Sequence, residues 1–509
     1  MYCSVLSAFI QGTQVQMTRI EADVCDGLPS FSVVGDVSNQ VREAQERVRT
    51  ALKNASFYLP PKRITINLSP ADVRKEGTGF DLAIAAALLA AMEHIPSALV
   101  SGAVLLGEVS LDGTLRPVRG VLPIVLHAKS IGCRTCVVPK ENEQEACLTE
   151  GIRIVGLTNI RELGTGLALD EAYSRRSVPE NPQELQPYEV DFSDLCGQEA
   201  AKRAALVAVS GFHNLLLIGP PGAGKSMLAK RIPTILPDLT LDERMEIAGI
   251  QSIAGTLSGQ YPLTLRRPFR HPHHTITPVA LGGGGRHPRP GEISLAHRGI
   301  LFLDEMPEFR RESLEILRQP LEERKIQISR ARGSYVFPAD FILIAAMNAC
   351  PCGFFPDYNR CVCQPGQIHR YLHKISRPLL ERIDLACEVS PVSFGEITKK
   401  HRGDSSHKMR QLVERAQALQ KERFKGTQLR FNADIPTRQM EDYCHISPKA
   451  KRLLETVFNT LQISARAYHR ILKVARTVAD LEGEARIGEA HIAEAVSYRI
   501  EGGLFEKGI

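Results

Sequence analysis

One eight-residue segment constrains the fold of this chain more than any other feature. Residues 219–226 read Gly-Pro-Pro-Gly-Ala-Gly-Lys-Ser and fit the phosphate-binding loop pattern, in which four residues separate two glycines and Lys-Ser follows. The apolar run Leu215–Ile218 predicts a buried strand before the loop, and Met227–Ile232 predicts a helix after it. A strand, a glycine loop and a helix in this order direct several backbone N–H groups towards one anion. The chain is therefore predicted to contain an α/β domain with a parallel sheet flanked by helices.

The loop has the residue types that a triphosphate needs. Glycines allow the backbone to wrap the phosphates without a Cβ in the way. We expect Lys225 to contact the β and γ phosphates of ATP, and Ser226 to ligate Mg²⁺. The candidate nucleotide-binding residues are Gly219, Pro220, Pro221, Gly222, Ala223, Gly224, Lys225 and Ser226, together with Asp304.

Two further apolar strands end in polar residues. The run 299–303 leads into Asp304 and Glu305, and the run 341–347 leads into Asn348. The carboxyl ends of parallel strands meet at one edge of a sheet, so these side chains are expected beside the phosphate loop. We predict that Asp304 orients Mg²⁺ or its waters and that Glu305 positions and polarises the attacking water. Asn348 is suited to hydrogen-bond the γ-phosphate or that water.

Composition describes an ordinary globular protein of two to four domains. The chain has 509 residues, of which 43% are hydrophobic and 24% are charged. A net charge of +6 from 63 Lys+Arg and 57 Asp+Glu is too balanced to indicate nucleic acid by itself. The start shows no basic region before Arg19, and no run of 18 apolar residues exists; Phe80–Met92 is interpreted as a buried helix. A cytoplasmic protein without a membrane partner is expected.

The chain divides into segments of different character. Residues 1–168 mix short β-rich runs with helical stretches, which predicts an α+β domain. Residues 169–190 contain three prolines and many polar residues and are interpreted as a linker. Strands alternate with helices over residues 191–391, and residues 392–509 are predicted to be helical. In that last part, Pro448–Thr460 and Ala465–Glu482 carry apolar residues at helical spacing.

Four cysteines cluster within residues 350–363. Cys350 and Cys352 form one Cys-x-Cys pair, and Cys361 and Cys363 form a second after eight residues. Four thiolates at compact spacing fit a structural zinc site, which leaves no open position for catalysis. An iron–sulfur cluster and free or redox-active thiols are the alternatives. The histidines of His271–His274 have no acidic or thiol partner nearby in the sequence, so this segment is interpreted as a surface loop.

These motifs together resemble AAA+ ATPases of the magnesium-chelatase-like branch, and specifically the YifB/ComM family. The resemblance covers nearly all of the chain. It is carried by Pro70–Gly77, Gly219–Ser226, Gly291–His297 running into Leu303–Glu305, Cys350–Cys363 and Ser464–Arg470. It implies a P-loop AAA+ core over residues 191–391 and a helical lid domain over residues 392–509.

The resemblance assigns roles to two arginines. Arg382, within Ser376–Asp384, matches the segment that holds an arginine finger, which reaches the γ-phosphate of the neighbouring subunit. Arg466 matches a second arginine that contacts nucleotide phosphate. Structural salt bridges are the alternative for both. A finger that acts in trans implies a ring, which we expect to be a homo-hexamer.

A basic hairpin is the candidate DNA contact. Lys325–Phe337 is predicted to form two strands around a turn that carries Arg330 and Arg332. In the resembling proteins this hairpin projects into the pore of the ring, where Lys325, Arg330 and Arg332 would contact a phosphate backbone without reading its sequence. A solvated hairpin without a ligand is the alternative.

Residues 1–168 resemble the Lon-protease-like domain, whose proteolytic members use a serine activated by a lysine. In this sequence Gly79 stands in the place of the nucleophile and Leu122 in the place of the lysine. Neither residue supports nucleophile–base chemistry, so protease activity is not expected. Arg74 and Lys75 are exposed candidates for DNA contact, with solvated surface charge as the alternative.

The resemblance implies a motor that couples ATP hydrolysis to DNA remodelling. Branch migration or helicase action in homologous recombination or natural transformation is the expected activity, with ATP, Mg²⁺ and structural Zn²⁺ as cofactors. Single-stranded or branched DNA, further copies of the chain and recombination proteins are the expected partners. The alternative is a protein-remodelling or magnesium-chelatase-like motor that acts on a partner other than DNA.

Overall fold

The computed structural model describes residues 1–168, 188–257, 261–285, 287–330, 333–357, 359–397 and 403–499. The chain forms two compact units. The first unit comprises residues 1–185, 241–265 and 329–336, and the second comprises residues 186–240, 266–328 and 337–509. Each unit is therefore assembled from separate stretches of the sequence.

The first unit contains a seven-stranded mixed sheet in the order β3-β4-β2-β1-β5-β8-β9. Its strands are β1 Tyr2–Gln11, β2 Gln14–Cys25, β3 Ser30–Val34, β4 Arg63–Ser69, β5 Ala103–Leu105, β8 Thr135–Pro139 and β9 Arg153–Leu157, and a separate pair is formed by β6 Glu108–Val109 and β7 Leu115–Arg116. Ile20, Ala22 and Val24 of β2 are buried, whereas Asp23 between the last two is exposed and Glu21 is half-buried. Alternation of buried and more exposed side chains with a period of two is typical of a strand that has one face on the core.

A fully buried helix forms the centre of the first unit. Each residue of Asp81–Ala91 is buried, which confirms the interpretation of the apolar run Phe80–Met92. Asp81 pairs with Arg47 at 2.8 Å, so the one acid of this helix is not left unpaired in the core. The helices of the unit are Asn39–Asn54, Asp81–Ala91, Ser97–Val100, Val121–Ser130, Glu143–Ala146, Leu163–Ala168 and Leu241–Ala254.

The second unit contains a five-stranded sheet in the order β11-β14-β17-β10-β18, and each neighbouring pair is parallel. Its strands are β10 Leu215–Ile218, β11 Phe269–Arg270, β14 Ile300–Leu303, β17 Ile342–Met347 and β18 Leu385–Glu388. All residues of the three central strands are buried, as expected for a sheet covered by helices on both faces. The predicted parallel α/β core is confirmed. Two hairpins lie outside the sheets: β12 Gly283–Gly284 with β13 Arg289–Pro290 in the second unit, and β15 Lys325–Arg330 with β16 Gly333–Pro338, of which residues 329–336 belong to the first unit.

The C-terminal part is helical, as predicted. Two of its helices have the bounds that their apolar spacing indicates, Pro448–Thr460 and Ala465–Glu482. The first begins after Ser447 and the second after Ser464, because each serine caps its helix by accepting a backbone hydrogen bond. The helices of the second unit are Glu199–Gly211, Lys225–Arg231, Pro278–Gly282, Glu292–Leu295, Arg311–Ile316, Arg318–Glu323, Pro365–Leu372, Arg377–Leu380, Phe394–Ile397, Ser406–Arg423, Met440–Tyr443, Pro448–Thr460, Ala465–Glu482 and Glu489–Ser497. Among the described residues, no helix combines the length and apolarity needed to cross a bilayer.

Candidate nucleotide-binding site

Three neighbouring strands of the second unit end at the candidate site. Gly219 follows β10, Asp304 follows β14 and Asn348 follows β17, and β17 lies between the other two strands. Because all three strands are parallel, the residues that follow them lie at one edge of the sheet. The structure thus brings together residues that are far apart in the sequence.

Lys225 links the phosphate loop to β17. Its Nζ donates hydrogen bonds to the carbonyl oxygens of Gly219 at 2.7 Å and Pro220 at 2.9 Å, and to Oδ1 of Asn348 at 3.0 Å. The residue is buried, and burial lowers the pKa of the Lys225 ammonium. An anion bound here would favour the charged form of the amine. Gly224 has a φ of 87°, a left-handed conformation that favours glycine at this tight turn.

Ser226 and Asp304 form the second contact of the site. The Ser226 hydroxyl donates a hydrogen bond of 2.6 Å to Oδ2 of Asp304. A hydroxyl beside a carboxylate offers the hard oxygen ligands that Mg²⁺ prefers. Glu305, the next residue, adopts a left-handed backbone with φ 51° and ψ 47°, which is uncommon for a residue with a side chain. The Glu305 side chain is 61% exposed.

The histidine loop lies beside these acids, contrary to the expectation that no acidic partner is near. Nδ1 of His274 is 3.8 Å from Oε2 of Glu305, and the His271 ring lies 4.7 Å from that of Phe302. Burial lowers the pKa of His271, and the charge of Asp304 opposes that shift. The loop follows β11, which pairs with β14, so its proximity is a consequence of strand order that the local sequence does not reveal.

Gln198 is a further contact that the sequence analysis missed. Its side-chain amide donates a hydrogen bond to the carbonyl of Ala223 inside the phosphate loop. The residue has a φ of 59° and precedes the helix Glu199–Gly211. No sequence signal marks this glutamine, because only the tertiary fold brings it to the loop.

The two predicted arginines are not part of this cluster. The Arg382 guanidinium pairs with Glu322 and donates to the carbonyl of Pro378 at 2.7 Å. Arg466 is 70% exposed and pairs with Glu381 at 2.9 Å. The salt bridges that the sequence analysis considered as an alternative are therefore present within the chain.

The backbone of Arg382 lies near the first residue of β10, whereas the phosphate loop follows the last residue of that strand. The Arg382 carbonyl accepts a hydrogen bond of 2.9 Å from the side chain of Asn214, which immediately precedes β10. The phosphate loop begins after Ile218, at the far end of the same strand. Four residues of strand span about 13 Å, so the length of β10 separates the Arg382 backbone from the phosphate loop.

The four cysteines lie within one small volume. Their Sγ atoms are all within 4.8 Å of one another. The backbone N–H of Phe354 lowers the pKa of the Cys352 thiol to about 6, whereas burial raises the pKa values of Cys361 and Cys363. The predicted ligand set of Cys350, Cys352, Cys361 and Cys363 is thus assembled geometrically.

The basic hairpin is partly described. Lys325 is exposed, with Glu323 at 4.0 Å, and Arg330 is exposed at the end of β15. Arg332 lies outside the described residues. Within the first unit, the Thr13 hydroxyl donates a hydrogen bond of 3.2 Å to the carbonyl of Val336 in β16. The second strand of the hairpin therefore rests on the turn between β1 and β2.

The first unit has no nucleophile–base pair at the two aligned positions. Leu122 is fully buried, and its backbone N–H donates a hydrogen bond of 2.9 Å to Oε1 of Glu145. Gly79 offers no side chain. Lys75 was expected to be exposed, but it is fully buried, which lowers its pKa. It is therefore unsuited to surface contact, whereas Arg74 keeps 39% of its side chain exposed.

Comparison with known proteins agrees with this architecture. The model for magnesium chelatase, subunit ChlI, matches residues 191–397, a second ChlI model matches residues 20–142, and the ChlI C-terminal model matches residues 403–499. The chain is 41% identical to the competence protein ComM of Haemophilus influenzae, with 99% of this chain and 98% of that protein covered. It is 40% identical to YifB of Escherichia coli, with 96% and 95% covered.

A third relative covers only part of the chain. The chain is 26% identical to Lon protease 2 of Bacillus subtilis over 33% of this chain and 29% of that protein. Full-length similarity to ComM and YifB, together with the three ChlI matches, decides the assignment. The chain belongs to the YifB/ComM family of magnesium-chelatase-like AAA+ proteins.

Proposed function

We propose that this chain is a ring-forming AAA+ ATPase that couples ATP hydrolysis to DNA remodelling. One observation carries the ATPase part of the proposal. The groups suited to a triphosphate lie at one edge of the parallel sheet, and the Arg382 backbone lies at the opposite edge. In this proposal a single subunit grips the nucleotide, and Arg382 serves the nucleotide of a neighbour.

The residues present fit MgATP. Lys225 now donates to carbonyls of its own loop, and phosphate oxygens would replace those acceptors. Ser226 and Asp304 would hold Mg²⁺, which when bound offsets the negative charge of the phosphates. Glu305 is exposed enough to orient a water and accept its proton, and Asn348 holds Lys225 in register with β17.

A ring follows from the arginine. An arginine finger contributes only when its guanidinium reaches the transferring phosphate. Arg382 is paired with Glu322 inside the chain, so it would exchange that exposed partner for the nucleotide of an adjacent subunit. Six copies are the expected ring, and Arg466, exposed beside Glu381, would act at the same junction.

The DNA part of the proposal has different support. The Haemophilus influenzae relative is named a competence protein, and competence is the uptake of DNA. Arg330 and Lys325 are exposed cations on one hairpin, and several copies around a ring would form a basic track for a phosphate backbone. Residues 1–168 serve in this proposal as a Lon-like scaffold without protease chemistry.

Mixing two inactive variants tests the ring. Lys225→Ala removes the grip on phosphate, and Arg382→Ala removes the finger. Each variant alone should lose ATP turnover, but a mixture should recover part of it, because a junction between the two kinds of subunit can contain both residues. Lys225→Ala mixed with Glu305→Gln is the matched control, since both changes disable the same side of the junction. No recovery in the first mixture, with ring assembly intact by sedimentation, contradicts action in trans.

Stimulation of ATP turnover tests the DNA substrate. Single-stranded and forked DNA should raise the turnover of the wild-type chain, and forked DNA should be unwound or its branch point moved. An unfolded protein at equal mass concentration is the comparison. Stimulation by the unfolded protein alone would favour the protein-remodelling alternative and would contradict the DNA proposal.

A further inference from the structure

The four-cysteine loop has the dimensions of a tetrahedral metal site. Sγ of Cys350 lies 3.4 Å from Sγ of Cys352 and 3.8 Å from Sγ of Cys361. The Sγ atoms of Cys352 and Cys361 are 3.6 Å apart. Zinc–sulfur bonds of about 2.3 Å in a tetrahedron place sulfurs about 3.8 Å apart. A disulfide bond would need a sulfur–sulfur distance of about 2.05 Å. The backbone N–H groups of Gly353 and Phe355 also donate to Sγ of Cys350 at 3.2 and 3.3 Å.

This loop is pressed against the phosphate loop. Gly353 lies between the two cysteine pairs and has a φ of 86°. A Cβ added at Gly353 would lie 2.3 Å from Cδ and 2.6 Å from Cγ of Pro221, so the backbone of the cysteine loop is in direct contact with the proline ring. Only glycine permits this approach.

A second connection joins the two loops through the chain itself. Cys350 is fully buried and comes two residues after Asn348, whose side chain accepts a hydrogen bond of 3.0 Å from Lys225. The cysteine loop is therefore held to the phosphate loop at Asn348 and at Gly353. Cys350 and Cys352 lie between these two points of attachment.

We propose that the four cysteines bind zinc and that zinc binding is thermodynamically coupled to nucleotide binding. The bound metal fixes the 350–353 backbone, and that backbone fixes Pro221 and Lys225 in the conformation that receives phosphate. A coupling between two sites is reciprocal, so nucleotide should retain the metal as strongly as the metal favours nucleotide. The proposal rests on the nucleotide site of the proposed function, but it requires neither hydrolysis nor DNA.

Three measurements on the full-length wild-type chain test the zinc site and its coupling to the nucleotide site. Metal analysis should give about one zinc per chain. A fluorescent, non-hydrolysable ATP analogue should bind about tenfold more weakly after zinc is removed by a chelator, within the range usual for coupled sites. In the third measurement, a chromophoric chelator should extract zinc more slowly in the presence of the analogue. Equal affinity with and without zinc, in protein whose helical content is unchanged, overturns the coupling.

Variants separate the metal from the contact. Cys361→Ser should lose zinc and weaken binding of the analogue, whereas Cys133→Ser, a partly buried cysteine outside the cluster, should change neither. Gly353→Ala should keep zinc but weaken analogue binding, because its new methyl group meets Pro221. The rate of zinc extraction from the wild-type chain decides the question if either variant fails to fold.

The outcomes distinguish this inference from the proposed function. If Lys225→Ala binds the analogue as well as the wild type, the nucleotide site itself is wrong. If Lys225→Ala abolishes binding and zinc has no effect on the wild type, only the coupling is wrong. Iron and inorganic sulfide in place of zinc would overturn the identity of the metal.

Discussion

Both units contain buried polar groups, but these groups differ in what they can bind. In the first unit, Glu145 accepts hydrogen bonds from Leu122, Asn142 and Ser252, all of them buried. In the second unit, Lys225 and Ser226 are bonded to groups at a sheet edge where Glu305 is 61% exposed. A network closed on itself stabilises a fold, whereas a network at an open edge can exchange its partners for a ligand.

The largest effect on ATP turnover is expected from a substitution at the open sheet edge of the second unit. Glu305→Gln removes the carboxylate that we propose orients water and should lower ATP turnover by roughly a hundredfold or more, in the range of general-base loss. Binding of nucleotide should persist, because Lys225, Ser226 and Asp304 are untouched. Glu308→Gln changes an acid three residues away that pairs with Lys374, and should leave turnover near the wild-type value. Normal turnover by Glu305→Gln would remove the proposed distinction between the units.

Damage to the closed network should appear as lost stability and not as lost chemistry. Leu122→Ala opens a cavity at a fully buried position and should cost about 2–5 kcal/mol. Hydrogen exchange in the helix Asp81–Ala91 should become faster, because that helix belongs to the same unit. ATP turnover per folded chain should remain unchanged at low temperature. A specific loss of turnover without faster exchange would give Leu122 a role beyond packing.

Acid should act in opposite directions on one buried carboxyl group of each unit, Asp384 in the second and Glu145 in the first. Burial by itself would raise the pKa of Asp384, but His213, Arg470 and the backbone N–H of Asn214 lower it to about 2. The carboxylate therefore stabilises the second unit above the unfolded pKa of 3.8, and this contribution, on the order of 2 kcal/mol, is lost as the pH falls towards 2.

The contribution of Glu145 to stability has the opposite pH dependence. Burial raises its pKa, so its contribution to the first unit is complete below the unfolded pKa of 4.5 and is lost as the pH rises through the folded value. Hydrogen exchange, corrected for its intrinsic pH dependence, should show lower protection in the second unit of the wild type at pH 3 than at pH 5. Asp384→Asn should reduce that difference, and Glu145→Gln should reduce the pH dependence of the first unit. Parallel changes in both units would contradict these assignments.

The smallest effect is expected at the basic hairpin. Arg330→Ala should weaken stimulation by DNA and reduce the slope of log affinity against log salt by about one for each phosphate contact that is lost. Basal ATP turnover should not change. Lys451→Ala removes an exposed cation from a helix outside the hairpin and is the control. An equal loss of stimulation by DNA in both variants would mean that the hairpin contributes only general surface charge.

Much of the second unit was predictable because its signals are local. Leu215–Ile218 is apolar throughout and is followed by glycines and Lys-Ser, so strand, loop and helix could be located without any long-range information. The apolar strands that end in Asp304 and Asn348 follow the same logic. Ser447 and Ser464 mark helix starts by their own capping hydrogen bonds. The prediction was weaker where a residue depends on distant neighbours: Lys75 reads as a surface cation, but β-bridge pairing at Val37 places it in a fully buried position.

The amino-acid sequence alone determined which groups this chain contains: a glycine-rich loop with Lys-Ser, two strand-end acids, an amide and four clustered cysteines, all encoded as short contiguous patterns. Only the tertiary structure decided how they meet. Strand order placed His274 beside Glu305, the contact of Gly353 with Pro221 joined the cysteine loop to the phosphate loop, and the length of β10 separated the Arg382 backbone from Lys225. The physical reason is that periodicity and turn chemistry act within a few residues, whereas these relationships depend on which strands pair and which surfaces pack.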